Sequence, residues 1–234
     1  LVVGFLKSLD YYIIIIYVFS LLGITAYFRL PKERRKQRVN KFVAGSLALV
    51  SFYESLAYFL VSLHTVNAWV YLLFFHHFAV YLNLAIIQEF VLNKKRKWII
   101  RGFILVHIVF SGLPLLLGII PINDNGEYSS ILGSTFIIVS CWIFFYELVL
   151  DDRYLAIKPI RFSGFWLITS LLFLFSGSFM ILISYSYLIN NYLEMYYVVI
   201  EVTRTSAMIF YAFCFITLAN WKGYFQTQTP VSYE

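Results

Sequence analysis

Charge is scarce in this sequence: 13% of its 234 residues are Asp, Glu, Lys or Arg, 61% are hydrophobic, and the mean hydropathy is +0.79. A soluble domain of this length needs far more polar surface than the chain can supply, so the solvent for most of it is lipid. Cysteine is scarce too. Cys141 and Cys214 both fall inside apolar runs, which excludes a disulfide framework and a cysteine-based zinc site and leaves them as small packing residues. Polar stretches long enough for a soluble module are missing. The most obvious outside loop is Pro121 to Ser130 and the tail after Trp221 is Lys222 to Glu234, so neither holds a catalytic or DNA-binding domain. An internal repeat is lacking, as is a pair of Gly/Pro-broken helices in corresponding halves, which argues against an inverted-repeat transporter.

Aromatics, in contrast, make up 21% of the chain, with 19 Tyr and 24 Phe. Interfacial anchors use fewer, so ring packing is the expected content of the interior. Apolar runs of about 20 residues, the length that crosses ~30 Å of hydrocarbon, fall at 11–28, 42–64, 67–91, 98–120, 131–150, 163–189 and 195–219. The expected fold is therefore all-α: one polytopic transmembrane domain over 1–234, a seven-helix bundle. The first run reads as a true helix, because no small-residue cleavage site follows it and it ends in a strongly basic loop. The sequence opens on Leu1 rather than Met, so a short preceding stretch is expected.

Basic residues in short loops stay on the cytoplasmic side of a membrane. The loop after the first span carries Arg29, Lys32, Arg34, Arg35, Lys36, Arg38 and Lys41 against Glu33. The loop after the third carries Lys94, Lys95, Arg96, Lys97 and Arg101, and the loop after the fifth Arg153, Lys158 and Arg161 beside Asp151 and Asp152. The opposite face holds Lys7, Asp10, Asp124, Glu127 and Glu194. Seven spans sort the charges this way when the N-terminus is outside and the C-terminus cytoplasmic. Contact with anionic lipid headgroups accounts for the basic loops and for the net charge of +6, so the lipid bilayer is the partner implied and no nucleic acid is expected.

Polar residues inside apolar runs are costly in hydrocarbon and usually face a partner or a cavity. Glu54, His76, His77, His107 and Arg204 each lie about nine to twelve residues into their spans, roughly 14–18 Å from one surface, near the midplane. Glu201 stands one turn before Arg204, an i, i+3 spacing that allows an ion pair. Three readings of this layer stand open. In the first, Glu201 and Arg204 neutralise each other, Glu54 is protonated or bonded to a Tyr hydroxyl, and the histidines are satisfied locally. In the second, the layer is a ligand-binding or proton-sensing pocket in which Arg204 attracts an anionic group or Glu54 and a histidine exchange a proton. In the third, His76 or His77, His107 and Glu54 meet as a metal or catalytic site, although no HExxH spacing supports a metal. His64 falls at the outer end of the second span, within reach of water. Glu89 and Glu147 fall beside basic loops, where interfacial pairing suffices. Pro114 should kink the fourth span, and Ser176-Gly177-Ser178 suits close helix packing in the sixth.

Two seven-helix families fail on these residues. A microbial rhodopsin needs a lysine inside the seventh helix for its Schiff base, and none lies there, so no retinal or other cofactor is expected. Asp152-Arg153-Tyr154 resembles the DRY motif of rhodopsin-like receptors, but it follows the fifth span rather than ending the third, and the seventh span has no NPxxY.

A more extended resemblance rests on Arg29-Leu30-Pro31-Lys32 in the first loop, Phe52-Tyr53-Glu54-Ser55-Leu56 in the second helix, and Asn67-Ala68-Trp69-Val70-Tyr71 at the start of the third. Phe162-Ser163-Gly164-Phe165-Trp166-Leu167-Ile168, with Leu172-Phe173-Leu174-Phe175 leading into Ser176-Gly177-Ser178, adds to it. In these features the chain resembles the seven-helix membrane modules common in Bacteroidota, found alone or fused to histidine kinases. The resemblance implies a bacterial inner-membrane protein acting as a sensor or receptor-like signal relay. A separate protein partner at the cytoplasmic face would then carry the output. An accessory subunit of a larger membrane complex and a small-solute transporter or channel are the alternatives.

Overall fold

The computed structural model describes residues 11–63, 68–119, 122–151, 154 and 159–219. Lys7, Asp10, His64, Asn67, the Asp152-Arg153 pair, Lys158 and the tail from Trp221 to Glu234 lie outside the described residues. Seven helices are long and apolar enough to cross a membrane: α1 (Tyr11–Arg29), α2 (Arg38–Ser62), α3 (Tyr71–Phe90), α4 (Lys94–Leu116), α5 (Ile122–Leu150), α6 (Ser163–Asn191) and α7 (Leu193–Ala219). This is the architecture of a multi-pass membrane protein.

The stretch from Pro121 to Ser130, expected as an outside loop, is instead helical from Ile122 onward. An apolar run fixes only the part of a helix that hydrocarbon can cover. The backbone can continue the same hydrogen-bond ladder beyond that run. α6 and α7 also outrun a ~30 Å core: their 29 and 27 residues span roughly 40 Å each, and Tyr192 alone separates them.

α1 packs on α2 and α7, α2 on α3, α3 on α5, α5 on α6 and α6 on α7, which closes a ring; α4 lies outside it against α3 and α5. α4 therefore turns Trp98, Leu105, Phe110 and Leu116 outward, toward lipid. The ring interior holds Ile16, Leu47, Leu84, Ile137, Leu171 and Phe210, with Cys141 and Cys214 free and fully buried among them. Between α6 and α7 the backbones come close at Gly177, where a Cβ would stand 2.9 Å from Thr203 Oγ1.

Two helices depart from α geometry. Tyr71–Ala79 in α3 and Ile108–Gly112 in α4 are π-helical. The second has a visible cause: Pro114 offers no N–H and its ring would strike the carbonyl four residues back, and the wider π turn just before it relieves both. The expected kink is met by a change of helical pitch. The helix then stops at Gly118, whose φ of +64° only glycine adopts without strain, with Ile119 N–H donating to the Pro114 carbonyl at 2.9 Å.

At the basic end of the bundle, Glu147 of α5 closes the α3–α4 turn. One carboxylate oxygen accepts the backbone N–H groups of Leu92 and Asn93 at 2.6 and 2.8 Å, and the other lies 3.3 Å from Arg96. Asn93 caps α4, its side-chain oxygen accepting from Lys95 N–H at 2.9 Å. Glu147 was expected as an interfacial residue, yet its side chain is 0% exposed. A neighbouring basic loop identifies a partner for a carboxylate and says nothing of how deep the pair sits. Glu89, by contrast, meets Arg38 at 4.0 Å on the surface.

Candidate functional site

The six polar residues expected as one midplane layer fall into three groups. The first belongs to the π segments of α3 and α4. His77 Nδ1 donates to the Leu72 carbonyl at 2.9 Å, which fixes the hydrogen on Nδ1 and leaves Nε2 to accept from the Ser111 hydroxyl at 3.1 Å. His107 is held the other way round. Its Nε2 faces the Ser129 carbonyl at 3.3 Å, and its Nδ1 accepts from the Tyr81 hydroxyl at 3.3 Å. The two imidazoles meet edge to face, centroids 5.4 Å apart. His76 points into the bundle on the other side of α3, its Nδ1 hydrogen-bonded to the Ser130 hydroxyl of α5. α5 reaches this close because residue 133 is glycine: a Cβ there would sit 2.8 Å from Val80 and 3.2 Å from His107 Nε2.

Beside His76 the ring of helices leaves a cavity of about 170 Å³ between α3, α5 and α6. Phe75 and Phe175, stacked with centroids 6.2 Å apart, supply aromatic surface, and His76, Ser130, Ser134 and Ser178 supply the polar atoms. α6 packs mainly on α5 and meets the π segment of α3 through the Phe75–Phe175 stack, which forms one wall of the cavity.

Glu54 forms the second group. It is buried and accepts a hydrogen bond from the Tyr71 hydroxyl at 3.0 Å. Tyr53 and Tyr211 bond each other alongside it, Tyr12 and Tyr58 lie close by, and Tyr17 donates to Ser55 at 2.9 Å, which donates on to the Ser51 carbonyl. The carboxyl thus sits among tyrosines from α1, α2, α3 and α7. Tyr71→Phe removes its hydroxyl partner and is expected to lower stability by about 1–3 kcal/mol, while Glu54→Gln, which keeps an acceptor for Tyr71, is expected to lose less. Denaturant unfolding of the purified protein in mixed micelles checks the order of the two.

Glu201 and Arg204 form the third group. They pair on α7 at 2.9 Å with side chains 47% and 39% exposed, Tyr11 donates to Glu201, and Arg204 lies over the ring of Tyr12. Both tyrosines open α1. The pair therefore packs against the first described turn of α1.

Glu54 is with Tyr71 rather than with the histidines, so the combination of Glu54, His107 and His76 or His77 is not assembled, and no group of three or more metal-ligating side chains occurs among the described residues. Arg204 remains within electrostatic range of Glu54 without bonding it in the contacts described. A tyrosine hydroxyl on Glu54 was expected and is Tyr71, while the serines that complete the histidine group were passed over. Ser129-Ser130 and Ser134, at i, i+4 spacing on one face of α5, were the available signal. Comparison of the chain with models of protein families, with curated proteins and with solved structures finds no match in any of the three.

Proposed function

We propose that this chain is a sensor module of a bacterial inner membrane, N-terminus outside and C-terminus cytoplasmic, that relays occupancy of the cavity at His76 to a separate protein at its cytoplasmic loops. The orientation follows from the Arg and Lys residues gathered at one end of the helices. One observation carries the relay: α3 runs from the cavity and Glu54 to the basic loops. Its π segment contributes Phe75 and His76 to the cavity and Tyr71 to Glu54. Its other end carries Glu89 beside Arg38, and the turn after it hangs on Glu147. A π turn is a strained register that relaxes to α geometry by shifting one residue, which turns the rest of the helix relative to its neighbours. The bond from His77 to the Leu72 carbonyl holds the π register, and a ligand against Phe75 and His76 would bias it.

An accessory subunit is the second reading, favoured by the polar patch that the Glu201–Arg204 pair and Thr205 expose on α7, which a partner helix would cover at less cost than hydrocarbon. Extraction and mass spectrometry of purified wild type, His76→Phe and Arg204→Ala separates the two. The sensor reading expects a small molecule that wild type and Arg204→Ala retain and His76→Phe loses. Its re-addition should change amide exchange across residues 91–97. Equal small-molecule content in all three, with a protein lost only from Arg204→Ala, would turn the assignment to the accessory subunit.

A further inference from the structure

The lining of the cavity between α3, α5 and α6 restricts what it can hold. Among the described residues no Lys, Arg, Asp or Glu lines it, so a charged ligand would lose its water and gain no counter-charge there. The cavity is open on one side, and its volume of about 170 Å³ is close to the ~150 Å³ that holds benzene, so a single six-membered ring with one or two substituents fills it. Most of its wall is apolar, with two phenylalanine rings at one side. The polar groups cluster and are of one kind. Ser130 is engaged with His76, and Ser178 donates to the Leu174 carbonyl at 2.9 Å, which leaves its oxygen free to accept. Hydroxyls and an imidazole both give and receive hydrogen bonds, and they match a ligand hydroxyl better than a carboxylate or an ammonium.

We infer that the cavity binds an uncharged monocyclic aromatic alcohol: the ring lies against Phe75 and Phe175 and the hydroxyl donates to Ser178 or Ser134. Such a molecule dissolves in hydrocarbon and reaches the site from the bilayer without meeting a charged barrier. This names the ligand class for the site on which the sensor reading rests.

The test is equilibrium binding of phenol, toluene and benzoate to the full chain in nanodiscs, with empty nanodiscs subtracted. Phenol should saturate at one per chain, toluene should bind more weakly, and benzoate should not bind at neutral pH. Ser134→Leu fills the cavity from α5 and should weaken phenol at least about tenfold. Ser178→Leu, on the less buried α6 wall, gives the same result if the first variant does not fold. Uptake that never saturates, benzoate binding as tightly as phenol, or phenol binding unchanged in the leucine variants overturns the inference. Amide exchange across residues 91–97 with phenol bound keeps the two questions apart. Saturable binding without a change there supports the ligand class and sinks the relay; a change produced by the extracted native molecule, with no phenol binding, does the reverse.

Discussion

Glu147→Ala is expected to destabilise the protein by about 3–5 kcal/mol, the loss typical of removing one member of a buried ion pair. The side chain is fully buried; two donors, the N–H groups of Leu92 and Asn93, converge on one of its oxygens, and the Arg96 guanidinium, itself stacked over Tyr146 at 4.8 Å, pairs with the other at 3.3 Å. Alanine leaves the two amides without an acceptor at the point where α3 ends and α4 begins, and unpaired buried amides carry their full desolvation penalty. Glu89→Ala is the internal comparison. Its pair with Arg38 is 4.0 Å long, the arginine side chain is 73% exposed, and the expected change is about 0–1 kcal/mol. Reversible unfolding in mixed micelles gives both numbers, and amide exchange at residues 92 and 93 locates the first. A Glu147→Ala loss below about 1 kcal/mol would mean that the Asn93 cap holds the turn by itself.

Two glycine-to-alanine changes should shift stability in opposite directions. At Gly164 a Cβ would stand 2.6 Å from Phe90 Cδ1 and 2.8 Å from Phe162 Cζ. Neither ring can yield, because both are buried in a cluster with Phe144 and Tyr154, and the Tyr154 hydroxyl is tied to the Phe90 carbonyl. Gly164→Ala is expected to cost about 1–3 kcal/mol as overpacking. Gly102, inside α4, has no neighbour within 4 Å of the same position, so Gly102→Ala should gain about 0.5–1 kcal/mol from reduced backbone freedom in the unfolded chain. Unfolding midpoints of the two variants against wild type decide it. A loss at Gly102 would show that the outer face of α4 is covered by something other than lipid.

The contrast between these glycines marks what a linear reading can reach. Both sit in apolar stretches, and only the ring cluster under Gly164 distinguishes them. The same limit applied to charge. Glu147 and Glu89 each precede a basic loop, and burial separated them because the α3–α4 turn folds over one and not the other. Among the six candidate residues, the Glu201–Arg204 pair was legible, since i, i+3 neighbours on a helix meet whatever surrounds them. Their further partners were not, because Tyr11 and Tyr12 stand some 190 residues earlier in the chain. The π segments were hidden for a related reason. Pro114 signals a disturbance in α4, while nothing local forces Tyr71–Ala79 out of α geometry; there the bonds of His77 and Tyr71 to their neighbours accompany the wider turn.

By itself the sequence determined that the chain is helical, that seven segments are long and apolar enough to cross a bilayer, and that positive charge gathers between particular pairs of them. These are properties of composition along one dimension, and hydrocarbon enforces them segment by segment, because each helix must satisfy its own backbone. Only the tertiary structure decided that the polar residues divide into a histidine–serine group, a tyrosine-ringed carboxyl and an outward ion pair, and that a cavity opens between α3, α5 and α6 beside His76. Those outcomes depend on which helix faces meet and at what height, and that is set by close packing at a few small residues such as Gly133 and Gly177.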